Sequence, residues 1–172
     1  MKKLFNWSLV LGAFVAAFYL IGLIVPRNLT QGCKVNFASK TTDVYALFAD
    51  VATWPQWHPA VSRVEESPKR NGHPLWNITD KEGESYDLEV VQADGEHSFG
   101  AVYERDGSRY TLRVDIAWCG EGSRVHVTQA VDTRDTWQRA EHFLLPSSDV
   151  SPLALLNAVA AHLGEKAKPD ND

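Results

Sequence analysis

Tyr110, Leu112, Val114, Ile116 and Trp118 are apolar on every second residue, and Thr111, Arg113 and Asp115 between them are polar. That period of two describes a strand with one dry and one wet face, and it predicts that Arg113 and Asp115 are solvated. Weaker versions occur at Trp76 and Ile78, at Tyr86, Leu88 and Val90, at Phe99, Ala101 and Tyr103, and at Val125, Val127 and Val131. Turn signals separate them: Asn71-Gly72, Lys81-Glu82-Gly83, Asp94-Gly95, Asp106-Gly107 and Gly120-Glu121-Gly122. Connections this short exclude parallel crossovers, so the pattern reads as an antiparallel meander of six strands.

Helical signals flank the meander. Ahead of it, Cys33 to Ala38 reads as a first strand, and Thr41 or Thr42 can N-cap a helix whose apolar face is Val44, Leu47 and Phe48. This helix is expected to end near Asp50 or Val51, and Pro55 and Pro59 hold the next element to a single turn. Behind the meander, Ser151-Pro152 is a cap followed by proline at the first helical position. Leu153, Leu156, Val159 or Ala160, and Leu163 then make an apolar stripe that Gly164 can terminate. Asp132 to Pro146 is ambiguous: Trp137, Ala140 and Phe143 suit a helix, Trp137, Arg139, Glu141 and Phe143 suit a strand only poorly, and the sequence does not decide between them.

The N-terminus carries a different signal. Leu4 to Val25 runs for 22 residues without a charge, between Lys2-Lys3 and Pro26-Arg27. A helix of about 20 apolar residues covers a bilayer core of about 30 Å. The run is longer than the apolar region of a signal peptide and lacks a small-x-small cleavage site at its end. It is read as an uncleaved single-span anchor, residues 1–27, ahead of one domain, residues 28–172. Lys2, Lys3 and the terminal amine favour a cytoplasmic N-terminus, with the domain outside the cytoplasm, in the periplasm of a Gram-negative cell.

Charge excludes some partners. Beyond residues 1–27, 17 − 3 = 14 basic residues face 22 acidic ones, a balance of −8, which suits neither nucleic acid nor electrostatic adsorption to anionic lipid. The histidines show no close pair at ligand spacing and no Cys-x-x-Cys neighbours them, so neither metal nor cofactor is expected. Cys33 and Cys119 fall on parallel strands near opposite ends of the sheet, which predicts two unpaired thiols. No Gly-x-Ser-x-Gly elbow or glycine-rich phosphate loop occurs.

Asp50, Trp54, Trp57 and Pro59 form the pattern Asp-x-x-x-Trp-x-x-Trp-x-Pro just after the first helical element. With the strand and helix order around it, this segment resembles the SRPBCC or START-like superfamily, which includes polyketide-cyclase-like and birch-pollen-allergen-like domains. The resemblance covers roughly Lys34 to Leu163, and the span followed by Pro-Arg and a first strand is similar to membrane-anchored members. It implies an α+β helix-grip fold, a curved antiparallel sheet around a C-terminal helix, enclosing an apolar cavity. The C-terminal helix here, about 12 residues, is shorter than family members generally carry.

The residues then divide between packing and binding. Trp54 and Trp57 can plug the end of the half-barrel or face a ligand, and Asp50 can cap their turn through its carboxylate. His58 is either an exposed loop histidine or a proton-exchanging group at the cavity mouth. Trp76, Tyr86, Tyr103, Tyr110, Leu112 and Gln129 fall on the inner face, where the hydroxyls and the amide can orient a ligand or bond to backbone. With Trp54, Trp57 and His58 they are the candidate ligand-binding set; no catalytic residue is assigned. The expected function is a membrane-anchored binding module for a lipid, isoprenoid or polycyclic compound. The alternatives are a polyketide cyclase- or dehydratase-like enzyme, or a protein-interaction domain whose cavity is filled by its own side chains, Trp76 and Trp118 among them.

Overall fold

The computed structural model describes residues 2–95, 97–144 and 151–169. Helix α1 (Lys2–Ile24) is followed by β1 (Asn28–Phe37), α2 (Thr41–Ala49), a 3-10 turn (Val51–Thr53) and the single-turn α3 (Trp54–Trp57). Six strands come next: β2 (Val61–Arg70), β3 (His73–Asp80), β4 (Ser85–Asp94), β5 (Ser98–Arg105), β6 (Ser108–Cys119) and β7 (Gly122–Thr133). Helices α4 (Thr136–Leu144) and α5 (Pro152–His162) and the two-residue strand β8 (Lys168–Pro169) complete the described chain.

The strands pair antiparallel in the order β2-β3-β4-β5-β6-β7-β1-β8, so the meander closes on β1 along its far edge. Register shifts between Val61 and Arg63, Ser67 and Arg70, and Val90 and Gln92 mark bulges, which bend a strand and help the sheet curve. The result is a helix-grip α+β architecture, a curved antiparallel sheet with a C-terminal helix. The core lies between the concave face, where Val35, Ile78, Leu88, Phe99, Val114 and Val127 are buried, and Val44, Phe48, Leu156 and Val159 of α2 and α5. Alternation in β6 holds through Ile116, whereas Trp118 stands 75% exposed beyond the end of the packed face. Trp118 therefore fills no cavity. Arg113 and Asp115 form an exposed ion pair on the outer face, as the alternation predicts.

Local caps differ in detail from the sequence reading. Lys40, not a threonine, is the N-cap residue of α2, with no side-chain cap bond, because Thr41 already lies in the helix. Asp50 opens the 3-10 turn through its main-chain oxygen, which accepts from the Thr53 N–H at 3.0 Å and the Thr53 hydroxyl at 2.8 Å; its carboxylate makes no cap bond. Ser151 does cap α5, its Oγ accepting from Ala154 N–H at 3.2 Å, and Gly164 takes a left-handed φ of 72° just past the end. The buried stripe of α5 uses Leu155 with Leu156, Val159 and Ala160, leaving Leu153 exposed. Residues 136–144 are helical; the remainder of the ambiguous stretch, with Pro146, lies outside the described residues. Both cysteines are free.

At the N-terminus the described residues do not show the expected span. Among the described residues no helix is long and apolar enough to cross a membrane. Side chains of α1 are described from Val10 to Ile24. This part of α1 packs on α4 instead: Phe18 meets Trp137 with ring centroids 4.3 Å apart, and Gly22 sits so close that a Cβ there would fall 1.9 Å from the Thr136 oxygen. Arg139 donates to the Val25 oxygen at 3.4 Å. The outer side of α1, with Val10, Leu11, Phe14, Leu20 and Leu23, is exposed.

Candidate functional site

Across the concave face the side chains change character from one end to the other. The row Val90–Ala101–Leu112 is aliphatic, while the neighbouring strand positions carry Tyr86, Tyr103 and Tyr110. Their rings stand side by side, with centroids 4.9 Å apart for Tyr86 and Tyr103 and 4.8 Å for Tyr103 and Tyr110, the latter pair within 2° of parallel. Gln129 on β7, opposite Leu112, donates its amide N–H to the Tyr103 hydroxyl at 3.3 Å. A row of hydrogen-bonding groups thus replaces hydrocarbon at the end of the sheet near the β3–β4 and β5–β6 turns.

Two adjoining recesses open there, sharing Tyr86, Tyr103 and Gln129. The inner one, about 30 Å³, is floored by Trp54, Leu88, Leu112 and Leu155 and walled by His58. That is space for roughly one water, whose share of liquid volume is ≈ 30 Å³. The outer one measures about 390 Å³ and reaches Leu29, Val131, Tyr110, the β3–β4 turn and α4. It falls within the ≈ 300–1,000 Å³ of small-molecule sites. The apolar depth of the barrel is thus nearly filled by its own side chains, and the free volume lies outside the tyrosine row.

The tryptophan motif splits between core and cavity. Trp54 and Trp57 are both buried and meet edge to face at 6.1 Å. Trp54 donates its indole N–H to the Phe48 oxygen at 3.3 Å and also lines the inner recess. Trp57 packs edge-on to Phe48 and lines neither recess; its buried indole N–H has no partner among the described residues. Trp76 is half-buried against the core and lines neither recess.

His58 is half-buried rather than an exposed loop residue, stacked on Trp54 at 5.2 Å and 12°. Burial, and secondarily the Lys81 ammonium, lowers its pKa from 6.5 to about 4, so the ring is uncharged near neutral pH. Its Nδ1 accepts from the Ala60 N–H at 3.2 Å, which leaves the ring proton on Nε2. The tyrosines are likewise held neutral. Burial pushes Tyr86 up to about 12 and Tyr103 further, and raises Tyr110, where Asp106 adds to the effect. They act as protonated hydroxyls, donors or acceptors, and not as phenolates.

Other groups at the site lie outside the candidate set. Asp80 is 4% exposed; its Oδ1 accepts from the Glu82 and Glu84 N–H groups at 2.9 Å each, and its Oδ2 lies 2.9 Å from Arg105 Nη1. Both residues continue the inner-face alternation, Asp80 after Trp76 and Ile78 and Arg105 after Ala101 and Tyr103. Opposite charges on two such positions were the available signal. Glu141 and His142 enter from α4, the latter with Nε2 3.5 Å from the Tyr110 hydroxyl. Among the described residues no cluster of three or more metal-ligating side chains occurs.

No family model matches the sequence, and no curated protein does. Solved structures do share its backbone. The Zhui aromatase/cyclase from a Streptomyces species superposes with a TM-score of 0.65 at 15% identity, over 80% of this chain and 94% of that one. Norcoclaurine synthase from Thalictrum flavum gives 0.61 at 15% identity over 85% and 91%, and a di-domain aromatase/cyclase from the steffimycin biosynthetic pathway gives 0.62 at 12% over 78% and 50%. The chain shares its fold with these proteins. Likeness at this identity extends to the fold alone, and the chain spans half the length of that di-domain protein.

Proposed function

We propose that this domain is a container for a hydrophobic small molecule with a polar end, a lipid, isoprenoid or polycyclic compound. The observation that carries the reading is the cavity of about 390 Å³ set against a row of neutral hydrogen-bonding groups, Tyr86, Tyr103, Tyr110 and Gln129. Leu29 and Val131 offer apolar contact on one side, and hydroxyls and an amide fix orientation on the other. Enclosing a few hundred Å² of apolar ligand surface is worth several kcal/mol at roughly 25 cal/mol per Å². The test is native mass spectrometry of the full chain with organic extraction of bound species. A reproducible co-purified amphipathic compound, displaced in Gln129→Trp, is the expected result; an empty protein that takes up no apolar probe refutes the reading.

Catalysis of the cyclase or dehydratase kind is the second reading, favoured by the hydroxyl row and by the neutral His58 beside it. Against it, the Nδ1 lone pair of His58 is occupied by a backbone N–H and the Asp80 carboxylate is engaged by two backbone N–H groups and Arg105. An acid–base mechanism needs a free group within reach of the transferred proton. Recovery of bound compound chemically unchanged after long incubation separates binding from turnover.

The proposal extends to attachment at a membrane through residues 1–27, with the domain on the extracytoplasmic face. Its support is the uncharged run Leu4–Val25 and the exposed apolar flank of α1. Sedimentation of the full chain with membranes, resisting alkaline wash, tests it; release by the wash rejects it.

A further inference from the structure

This inference deepens the container reading and rests on it. The rim of the outer cavity carries Asp80, Glu82, Asp106 and Glu141 against Lys81 and Arg105, a formal balance of 2 − 4 = −2 among the described lining residues. Arg105 is the cation built into this wall, and carboxylates already surround its charge. Its Nη1 lies 2.9 Å from Asp80 Oδ2, its Nη2 3.0 Å from Glu84 Oε2 and 3.3 Å from Glu82 Oε2, and its Nε 3.4 Å from Asp106 Oδ2. All three guanidinium nitrogens thus face the protein's own carboxylates, and an incoming anion meets that negative charge together with the guanidinium. Lys81 is exposed on the β3–β4 turn, between Asp80 and Glu82 in sequence, and a hydrated ammonium there is a weak anchor. Further in, the polar groups are hydroxyls, an amide and an uncharged imidazole, none of which carries the positive charge that a buried anion needs.

We propose that the cavity admits neutral or cationic amphipathic ligands and rejects carboxylates, sulfonates and phosphates, with Arg105 acting as a brace of the wall and not as an anion anchor. Two net negative charges roughly 8 Å from a ligand anion weaken its binding by about 5-fold in water-like dielectric, and desolvation adds to this.

The test compares two fluorescent probes of one skeleton, phenylnaphthylamine and its sulfonated counterpart anilinonaphthalene sulfonate, titrated into the full chain at low ionic strength. The part of each signal lost in Gln129→Trp is taken as cavity binding. The expected result is cavity binding of the neutral probe and binding of the sulfonate weaker by about 5-fold or more. Glu141→Lys, at an exposed residue with the balance moved from −2 to 0, is expected to narrow the gap, as is raised salt. Equal cavity affinity for both probes overturns the charge inference and leaves the container reading standing. A gap that neither Glu141→Lys nor salt narrows overturns its assignment to the rim. Cavity binding of neither probe overturns the container reading, and this inference with it.

Discussion

Replacing Asp80 separates the two tasks its carboxylate performs. Oδ1 accepts two backbone N–H bonds at 2.9 Å across the β3–β4 turn, and Oδ2 faces Arg105 at 2.9 Å. Asp80→Ala removes both. Arg105 keeps Glu84, Glu82 and Asp106 and is 24% exposed, so it is not left as an unpaired buried charge, the case that costs 3–5 kcal/mol. The loss falls mainly on two charge-assisted bonds, each worth ≈ 1.5–3 kcal/mol where the donors cannot turn to water. The Glu82 and Glu84 N–H groups lie on an exposed turn and recover part of that, which gives a loss of about 2–3 kcal/mol. Asp80→Asn retains an amide oxygen for both N–H groups while losing the charge, and is expected to cost about 1 kcal/mol. Glu82→Gln, at a side chain 80% exposed, should stay within about 0.5 kcal/mol. Urea unfolding of the three variants at unchanged m-value measures the series. If asparagine costs as much as alanine, the charge and not the turn carries the stability, and a loss below ~1 kcal/mol for alanine refutes the argument altogether.

His58 has a folded pKa of about 4 against 6.5 unfolded, so the unfolded state binds more protons between these values. Stability is therefore full above the unfolded value and is lost as pH falls through this window, by about 2 kcal/mol between about pH 7 and pH 5. His58→Gln should flatten that part of the curve, as read by urea midpoints. Trp54→Ala, at a buried indole packed on Trp57, Phe99 and His58, should cost about 3–5 kcal/mol by thermal unfolding. Gly122→Ala should cost about 1–3 kcal/mol, because a Cβ there falls 2.0 Å from the Phe37 oxygen where the β6–β7 turn passes the end of β1.

The meander was legible because each strand announces itself twice, once by period and once by the turn that ends it. Tyr110 to Ile116 and the Asp106-Gly107 turn, where both residues take positive φ, illustrate the agreement. The tyrosine row followed directly from the same period. The site's charged half did not, since Asp80 and Arg105 sit at strand ends where an inward and a solvated charge look alike in sequence. Only three-dimensional register sets them 2.9 Å apart. Residues of α4 were obscure for another reason: Ala140 is its one buried residue among those described, so the helix leaves too thin an apolar stripe to mark its inner face. The α1–α4 contact was invisible because Gly22 contributes no side chain, only closeness of approach.

That contact bears on how the protein should be handled at the bench. Cutting the chain after Arg27 to obtain a convenient fragment removes Phe18 from Trp137, Gly22 from Thr136 and the Val25 oxygen from Arg139. Helix α4, which carries Glu141 and His142 to the cavity, then keeps few neighbours besides β7. Trimmed fragment and whole chain are consequently different reagents, and an affinity measured on one is not transferable to the other.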